Sequence, residues 1–140
     1  MKKLLFLFLC GLLALAGCGG KKGKDDPAPA PASPADAVAG LYTMSSLTSG
    51  GKTIPLPFSN NGTSISGTIN VTTVSGTQDQ VNLTLTLKIS GSPDATDTGV
   101  FQVKAAGSGY TLLSNGQQAG SVDGNTLTLS DGSDGFVAKK

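Results

Sequence analysis

The sequence predicts an all-β protein in which an antiparallel up-and-down meander of about eight or nine strands closes into a small barrel. Three observations lead to this prediction. After residue 37, apolar and polar residues alternate, turn-forming residues recur between the alternating segments, and no segment has the apolar spacing of an amphipathic helix. A β-sandwich is the competing architecture, but it requires longer crossover connections than these turns provide.

The alternation is most regular in residues 81–90, where every second residue from Val81 to Ile89 is apolar. This pattern places the apolar side chains on one face of a strand. Related patterns give nine segments, at residues 38–48, 52–58, 63–74, 80–90, 98–106, 110–114, 117–122, 126–130 and 136–139.

Short turns separate these segments. Asn115-Gly116 is the clearest, because a type I′ hairpin requires positive φ at both central residues and Asn and Gly tolerate it. Short connections make consecutive strands antiparallel, so alternate turns lie at the same end of the barrel. We expect an acidic rim there, at which the preceding chain also enters the barrel. Its members are Asn60, Asn61, Asp94, Asp97, Asn115, Asp131 and Asp134.

Asp131 and Asp134 are the candidate metal ligands of this rim. Their carboxylates lie in Asp131-Gly132-Ser133-Asp134-Gly135, and Ca²⁺ prefers oxygen ligands. The alternative is that Asp and Gly occur here because they favour turns, and no other metal site is expected.

The first residues have the features of a secretory signal peptide. Lys2-Lys3 precede an apolar run over residues 4–15. This run is too short to cross a bilayer, which requires about 20 residues. The following Leu15-Ala16-Gly17-Cys18 resembles a bacterial lipobox, which implies that residues 1–17 are removed and that Cys18 carries lipid, including acyl chains such as palmitate. Leu15, Ala16 and Gly17 would be the recognised signal, and no cofactor other than this lipid is expected.

Residues 18–37 are expected to form a tether between the lipid and the folded domain, which covers residues 38–140. The second half of the tether is rich in Pro and Ala, which favours extended polyproline II. Lys24-Asp25-Asp26 resembles the export signal that directs some lipoproteins of the Bacteroidota to the cell surface. The alternative is a solvated charge run in a linker.

Composition excludes several classes of function. The chain contains no His and no Trp, and its basic and acidic residues are all Lys and Asp. It therefore lacks histidine, the usual general base, and arginine, which binds anions through two parallel hydrogen bonds. No nucleophile-plus-base pattern is present. From Cys18 onward, eight Lys and nine Asp give a net charge of 8 − 9 = −1. We expect neither an enzyme nor a nucleic-acid-binding protein.

The folded domain is similar to the small lipocalin-like lipoproteins of the Bacteroidota. The resemblance is carried by Ala39-Gly40-Leu41-Tyr42-Thr43, by the Thr-rich alternating middle, and by the closing segments at residues 124–132 and 136–140. It implies a lipid-anchored protein of the outer membrane, on its periplasmic face or at the cell surface. Gly40-Leu41-Tyr42 stands where lipocalins have Gly-x-Trp.

This resemblance implies a barrel that binds a small apolar or amphipathic ligand. Candidate ligand contacts are Tyr42, Leu85, Phe101, Tyr110 and Leu127. The alternative is that such side chains fill the core, in which case a solid barrel would act as a structural or interaction protein that docks another envelope or surface component.

Overall fold

The described residues form one closed antiparallel barrel. The computed structural model describes residues 32–140. A short helix, α1 (Pro34–Val38), precedes ten strands, and eight of the strands form a ring in the order β1-β4-β5-β6-β7-β8-β9-β10, closed by pairing of β10 with β1. The predicted fold class is confirmed, and the ten strands share a single sheet rather than two sheets of a sandwich. The strands are β1 (Gly40–Ser49), β2 (Lys52–Pro55), β3 (Phe58–Asn60), β4 (Thr63–Thr73), β5 (Gln80–Ile89), β6 (Ala95–Ala106), β7 (Gly109–Ser114), β8 (Gln117–Asp123), β9 (Thr126–Asp131) and β10 (Asp134–Lys139).

Several sequence predictions concern residues outside the described part of the chain. These are the lipobox residues Leu15, Ala16, Gly17 and Cys18, and the charged segment Lys24, Asp25 and Asp26. Within residues 32–140, no helix has the length and hydropathy needed to span a bilayer.

The predicted single strand over residues 52–58 is wrong, because this segment forms two short strands. Proline has no backbone N–H to donate to a strand ladder, and Pro55 and Pro57 both lie where β2 ends and β3 begins. β2 pairs with the last residues of β1, and β3 pairs with the first residues of β4. The first residues of β1 pair directly with β4, so β2 and β3 extend the ring at one end only.

The chain reverses direction once more than predicted, between β2 and β3 at residues 56–57. This reversal decides which loops share an end of the barrel. We call one end the helix end, which comprises α1, the turns at residues 74–79, 107–108 and 124–125, and Lys140. The other is the mouth end, formed by the turns at residues 50–51, 61–62, 90–94, 115–116 and 132–133. The predicted grouping of the acidic rim at one end is confirmed. The expectation that the chain enters at that rim is wrong, because the added reversal places α1 at the opposite end.

Large apolar side chains fill the helix end. Tyr42 opposes Ile69 in the β1–β4 pair, and Leu127 opposes Ala138 in the β9–β10 pair. Directly opposed residues share a face of the sheet, and all four of these side chains are fully buried. The other buried apolar residues of the barrel strands are Met44, Val71, Val81, Leu83, Val103, Leu112 and Val122.

The expectation of extended polyproline II in the second half of the tether is wrong for residues 34–37, which belong to α1. Ser33 caps this helix, since its Oγ accepts from the backbone N–H of Asp36 at 3.1 Å while the Asp36 carboxylate accepts from Ser33. Ala35 and Val38 are buried, and the Ala35 N–H donates to the Gln78 carbonyl in the β4–β5 turn at 3.1 Å. Five residues rarely hold a helix alone in water, so this packing stabilises α1 against the barrel.

Candidate functional site

A partly open pocket of about 530 Å³ occupies the mouth half of the barrel. Its size lies within the range of small-molecule sites in proteins. Eight lining residues are apolar or glycine: Leu83, Leu85, Gly99, Phe101, Ala119, Leu129, Gly135 and Phe136. The lining residues nearest the turns of the mouth end are polar, and they include Asp97, Asn115, Asp131 and Asp134.

The pocket exists because several inward positions at this end carry little or no side chain. Gly99 directly opposes Leu83, so it lies on the face that points into the barrel. A Cβ atom at Gly99 would lie 3.0 Å from the ring of Phe101. Ala119 also lines the pocket with a small side chain. The small volumes of Gly99 and Ala119 leave open space in the mouth half. At the helix end, the larger side chains of Tyr42 and Leu112 fill the interior instead.

A β-bulge in β8 shapes one wall of the pocket. Leu112 pairs with Gly120 whereas Leu113 pairs with Gln118, which leaves Ala119 as the extra residue. A bulge redirects side chains relative to regular alternation. Both Gln118 and Ala119 line the pocket as a result.

Three aspartates lie at the mouth of the pocket, and the lining includes no lysine. Asp97 opposes Leu85 in the β5–β6 pair, and Asp131 opposes Asp134 in the β9–β10 hairpin. An Asp97 carboxylate oxygen accepts from the Thr98 N–H at 2.9 Å. An Asp134 oxygen accepts from the Gly50 N–H at 2.8 Å, which joins the β9–β10 turn to the β1–β2 turn. The pocket therefore combines apolar walls with a negatively charged opening.

The predicted ligand contacts fall into two groups. Leu85 and Phe101 line the pocket. Tyr42, Tyr110 and Leu127 are not among its lining residues, because their strand positions lie toward the helix end. Alternation along a strand identifies the inward face, but it does not indicate which half of the barrel interior is filled.

Tyr42 has a structural environment at the helix end. Its hydroxyl donates to the Val38 carbonyl at 2.7 Å, and the Lys140 ammonium lies 4.9 Å from the centre of its ring. Burial raises the pKa of Tyr42 above its ordinary value, because the phenolate would be desolvated. These contacts connect α1, β1 and the C-terminus.

No group of three or more His, Cys, Asp or Glu side chains within residues 32–140 is arranged to hold a metal ion. Asp131 and Asp134, the candidate Ca²⁺ ligands, are opposed residues that flank the β9–β10 turn. The hydrogen bond from Gly50 gives Asp134 a role in joining two turns.

Sequence reasoning missed several pocket residues. Leu129 and Phe136 oppose each other across β9 and β10, and both line the pocket. Within the predicted segment 126–130, Leu127 and Leu129 alternate with polar residues, and this pattern places Leu129 on the inward face. The sequence already marks Ala119 as an inward residue of small volume, but the bulge that brings both Gln118 and Ala119 to the pocket depends on how β8 pairs with β7.

No protein-family model, curated protein or solved structure matches this chain.

Proposed function

We propose that this chain is a membrane-anchored envelope lipoprotein whose barrel binds a small apolar or amphipathic ligand. The observation that carries the binding proposal is the pocket of about 530 Å³ with walls formed by Leu85, Phe101, Leu129 and Phe136. Burial of apolar ligand surface against such walls contributes about 25 cal/mol per Å² before the costs of association.

The lipobox-like segment supports the anchoring part of the proposal. A lipid on Cys18 would hold the protein at the outer membrane, on its periplasmic face or at the cell surface. α1 and the pocket mouth lie at opposite ends of the barrel. A tether that joins the barrel through α1 would therefore leave the mouth unobstructed.

We infer a binding role rather than a catalytic one. The chain has no His, and its only acidic side chains are those of nine Asp residues. The lining contains neither lysine nor tyrosine, so the carboxylates are the only side chains there with ordinary acid–base chemistry.

The binding proposal can be tested with three decyl amphiphiles that share a tail and differ in their head groups: decyltrimethylammonium, decyl maltoside and decyl sulfate. The protein would be the processed chain, residues 18–140, with Cys18→Ala to prevent lipid attachment. Native mass spectrometry and calorimetry below the critical micelle concentrations should detect one bound molecule of at least one probe. Leu85→Trp should weaken that binding about tenfold or more, because the larger ring fills the pocket.

Val100→Trp is the matched control. Val100 lies on β6, one residue before Phe101, and it is 56% exposed on the outer face of the barrel. This variant should bind the probe as the unsubstituted protein does. If none of the three probes binds, the ligand-carrier proposal is wrong, and the alternative of a barrel that docks another envelope component is favoured.

A further inference from the structure

We propose that the pocket selects amphiphiles with a cationic head group, such as single-chain alkylammonium compounds, over neutral and anionic ones. This inference rests on the proposed binding function and adds the charge of the ligand to it. It follows from the pocket itself, which has an apolar interior and an opening whose charged side chains are all of one sign.

The carboxylates of the opening form no ion pair closer than 4.0 Å within the described residues. Asp97, Asp131 and Asp134 line the pocket, and no lysine does. Aspartate side chains carry negative charge at neutral pH. Within residues 32–140, Lys88 and Asp94 form an ion pair at 3.7 Å. This pair does not involve the three carboxylates of the opening. An anionic head group at this opening would meet like charge on both sides.

The β9–β10 hairpin places two of these carboxylates directly opposite each other. Asp131 and Asp134 are register partners, and like charges at opposed positions destabilise a sheet. A cation bound between the hairpin and Asp97 would relieve that repulsion. An ammonium group is a suitable cation, because its alkyl tail can occupy the apolar walls while its charge remains at the partly solvated opening.

The aspartates and the apolar walls are arranged along the same strands. Asp97 lies two residues from Gly99 and four from Phe101 on the inward face of β6. On β9, Asp131 lies two residues beyond Leu129. Residues two apart on a strand are separated by about 6.8 Å along the strand. A single amphiphile can therefore contact the walls with its tail and the carboxylates with its head.

The three decyl probes test this inference with the same processed chain. We expect decyltrimethylammonium to bind more tightly than decyl maltoside, and decyl sulfate to bind least tightly. Charge pairs that remain partly exposed give differences of about twofold to fivefold per carboxylate. Added salt should reduce the advantage of the cationic probe, since these charges are screened.

Asn substitutions at the opening identify the carboxylates involved. Asp97→Asn, Asp131→Asn and Asp134→Asn should each weaken binding of the cationic probe more than binding of decyl maltoside. Asn keeps a side-chain oxygen, so Asp134→Asn can still accept from Gly50. Asp123→Asn is the matched control, because Asp123 is an exposed carboxylate at the helix end; it should change neither affinity.

The outcomes separate the two proposals. Equal affinities for the three probes, or tighter binding of the anionic one, would overturn the inference about charge and leave the pocket as a binding site. Absence of binding by all three would contradict both. A preference for the cationic probe that is undiminished in all three Asn variants would also overturn the inference, because the carboxylates would not be its cause.

Discussion

Tyr42 joins more parts of the barrel than its position in a strand suggests. Its ring is fully buried, its hydroxyl donates to the carbonyl of the last helical residue, Val38, and Lys140 lies over its ring. The hydroxyl satisfies a polar group at the end of α1 that would otherwise be buried without a partner. Such an unsatisfied group costs about 1–3 kcal/mol.

Replacement of Tyr42 by Phe should therefore destabilise the barrel by about 1–3 kcal/mol while keeping the ring in the core. It should also change the response to alkaline pH. Because burial raises the Tyr42 pKa in the folded state above its ordinary value of 10.0, the folded state holds this proton more tightly than the unfolded state does. This contribution to stability is complete below about pH 10 and is lost as pH rises through the folded-state pKa.

Urea unfolding at a series of pH values from neutral to strongly alkaline would measure both effects. The unsubstituted protein should lose stability more steeply above about pH 10 than Tyr42→Phe does. Identical slopes for the two proteins would contradict the assignment, since both retain Tyr110 and all the lysines.

At the level of elements, α1 shapes the helix end of the barrel and the bulge in β8 shapes the pocket. α1 buries Ala35 and Val38 at the helix end and so completes the core there. The bulge brings Gln118 and Ala119 to the pocket wall. Both features depend on contacts with other strands, and each modifies one end of an otherwise regular barrel.

Ser33→Ala tests the contribution of α1. The substitution removes the oxygen that accepts from the Asp36 N–H, and loss of such a cap costs about 0.5–2 kcal/mol. For a domain of this size, a loss of about 1 kcal/mol lowers the Tm by roughly 4–8 °C. Thermal unfolding followed by circular dichroism would measure the change.

Ser108→Ala is the control for this variant, because Ser108 is exposed in the β6–β7 turn at the same end. Its Tm should stay close to that of the unsubstituted protein. Equal Tm values for Ser33→Ala and the unsubstituted protein would mean that α1 contributes little to the stability of the barrel.

For the whole molecule, the closed ring determines from which end the pocket can be reached. Closure leaves the interior accessible at its ends, and α1 covers the helix end. The pocket is therefore reached from the mouth end. The proposed tether joins the domain before α1, so its point of attachment would lie at the end of the barrel opposite the pocket mouth.

Metabolic labelling with an alkyne analogue of palmitate in a bacterial host tests the anchor. The unsubstituted chain should be labelled, and Cys18→Ala should not, because the attachment site is absent. Cys10→Ala is the matched control and should remain labelled, since Cys10 lies in the segment that the proposal removes. Label retained by Cys18→Ala would contradict the proposed attachment site.

Much of the fold could be predicted from local patterns. The alternation in residues 81–90 corresponds to β5, and Asn115-Gly116 forms the predicted turn with φ values of 50° and 80°. Such signals depend on neighbouring residues, so the sequence contains them directly. The Ser33-x-x-Asp36 spacing of a helix cap was also present, but the surrounding Pro and Ala favoured an extended chain.

The sequence by itself determined the strand class, the turns, the chemical composition of the acidic rim and the inward positions of Leu85 and Phe101. Tertiary structure decided the rest. The reversal at residues 56–57 set the end at which the chain enters, and the pairing of β8 with β7 produced the bulge at Ala119. The pocket lies in the mouth half because side-chain volumes from eight strands must be summed around a closed ring, and no local pattern contains that sum.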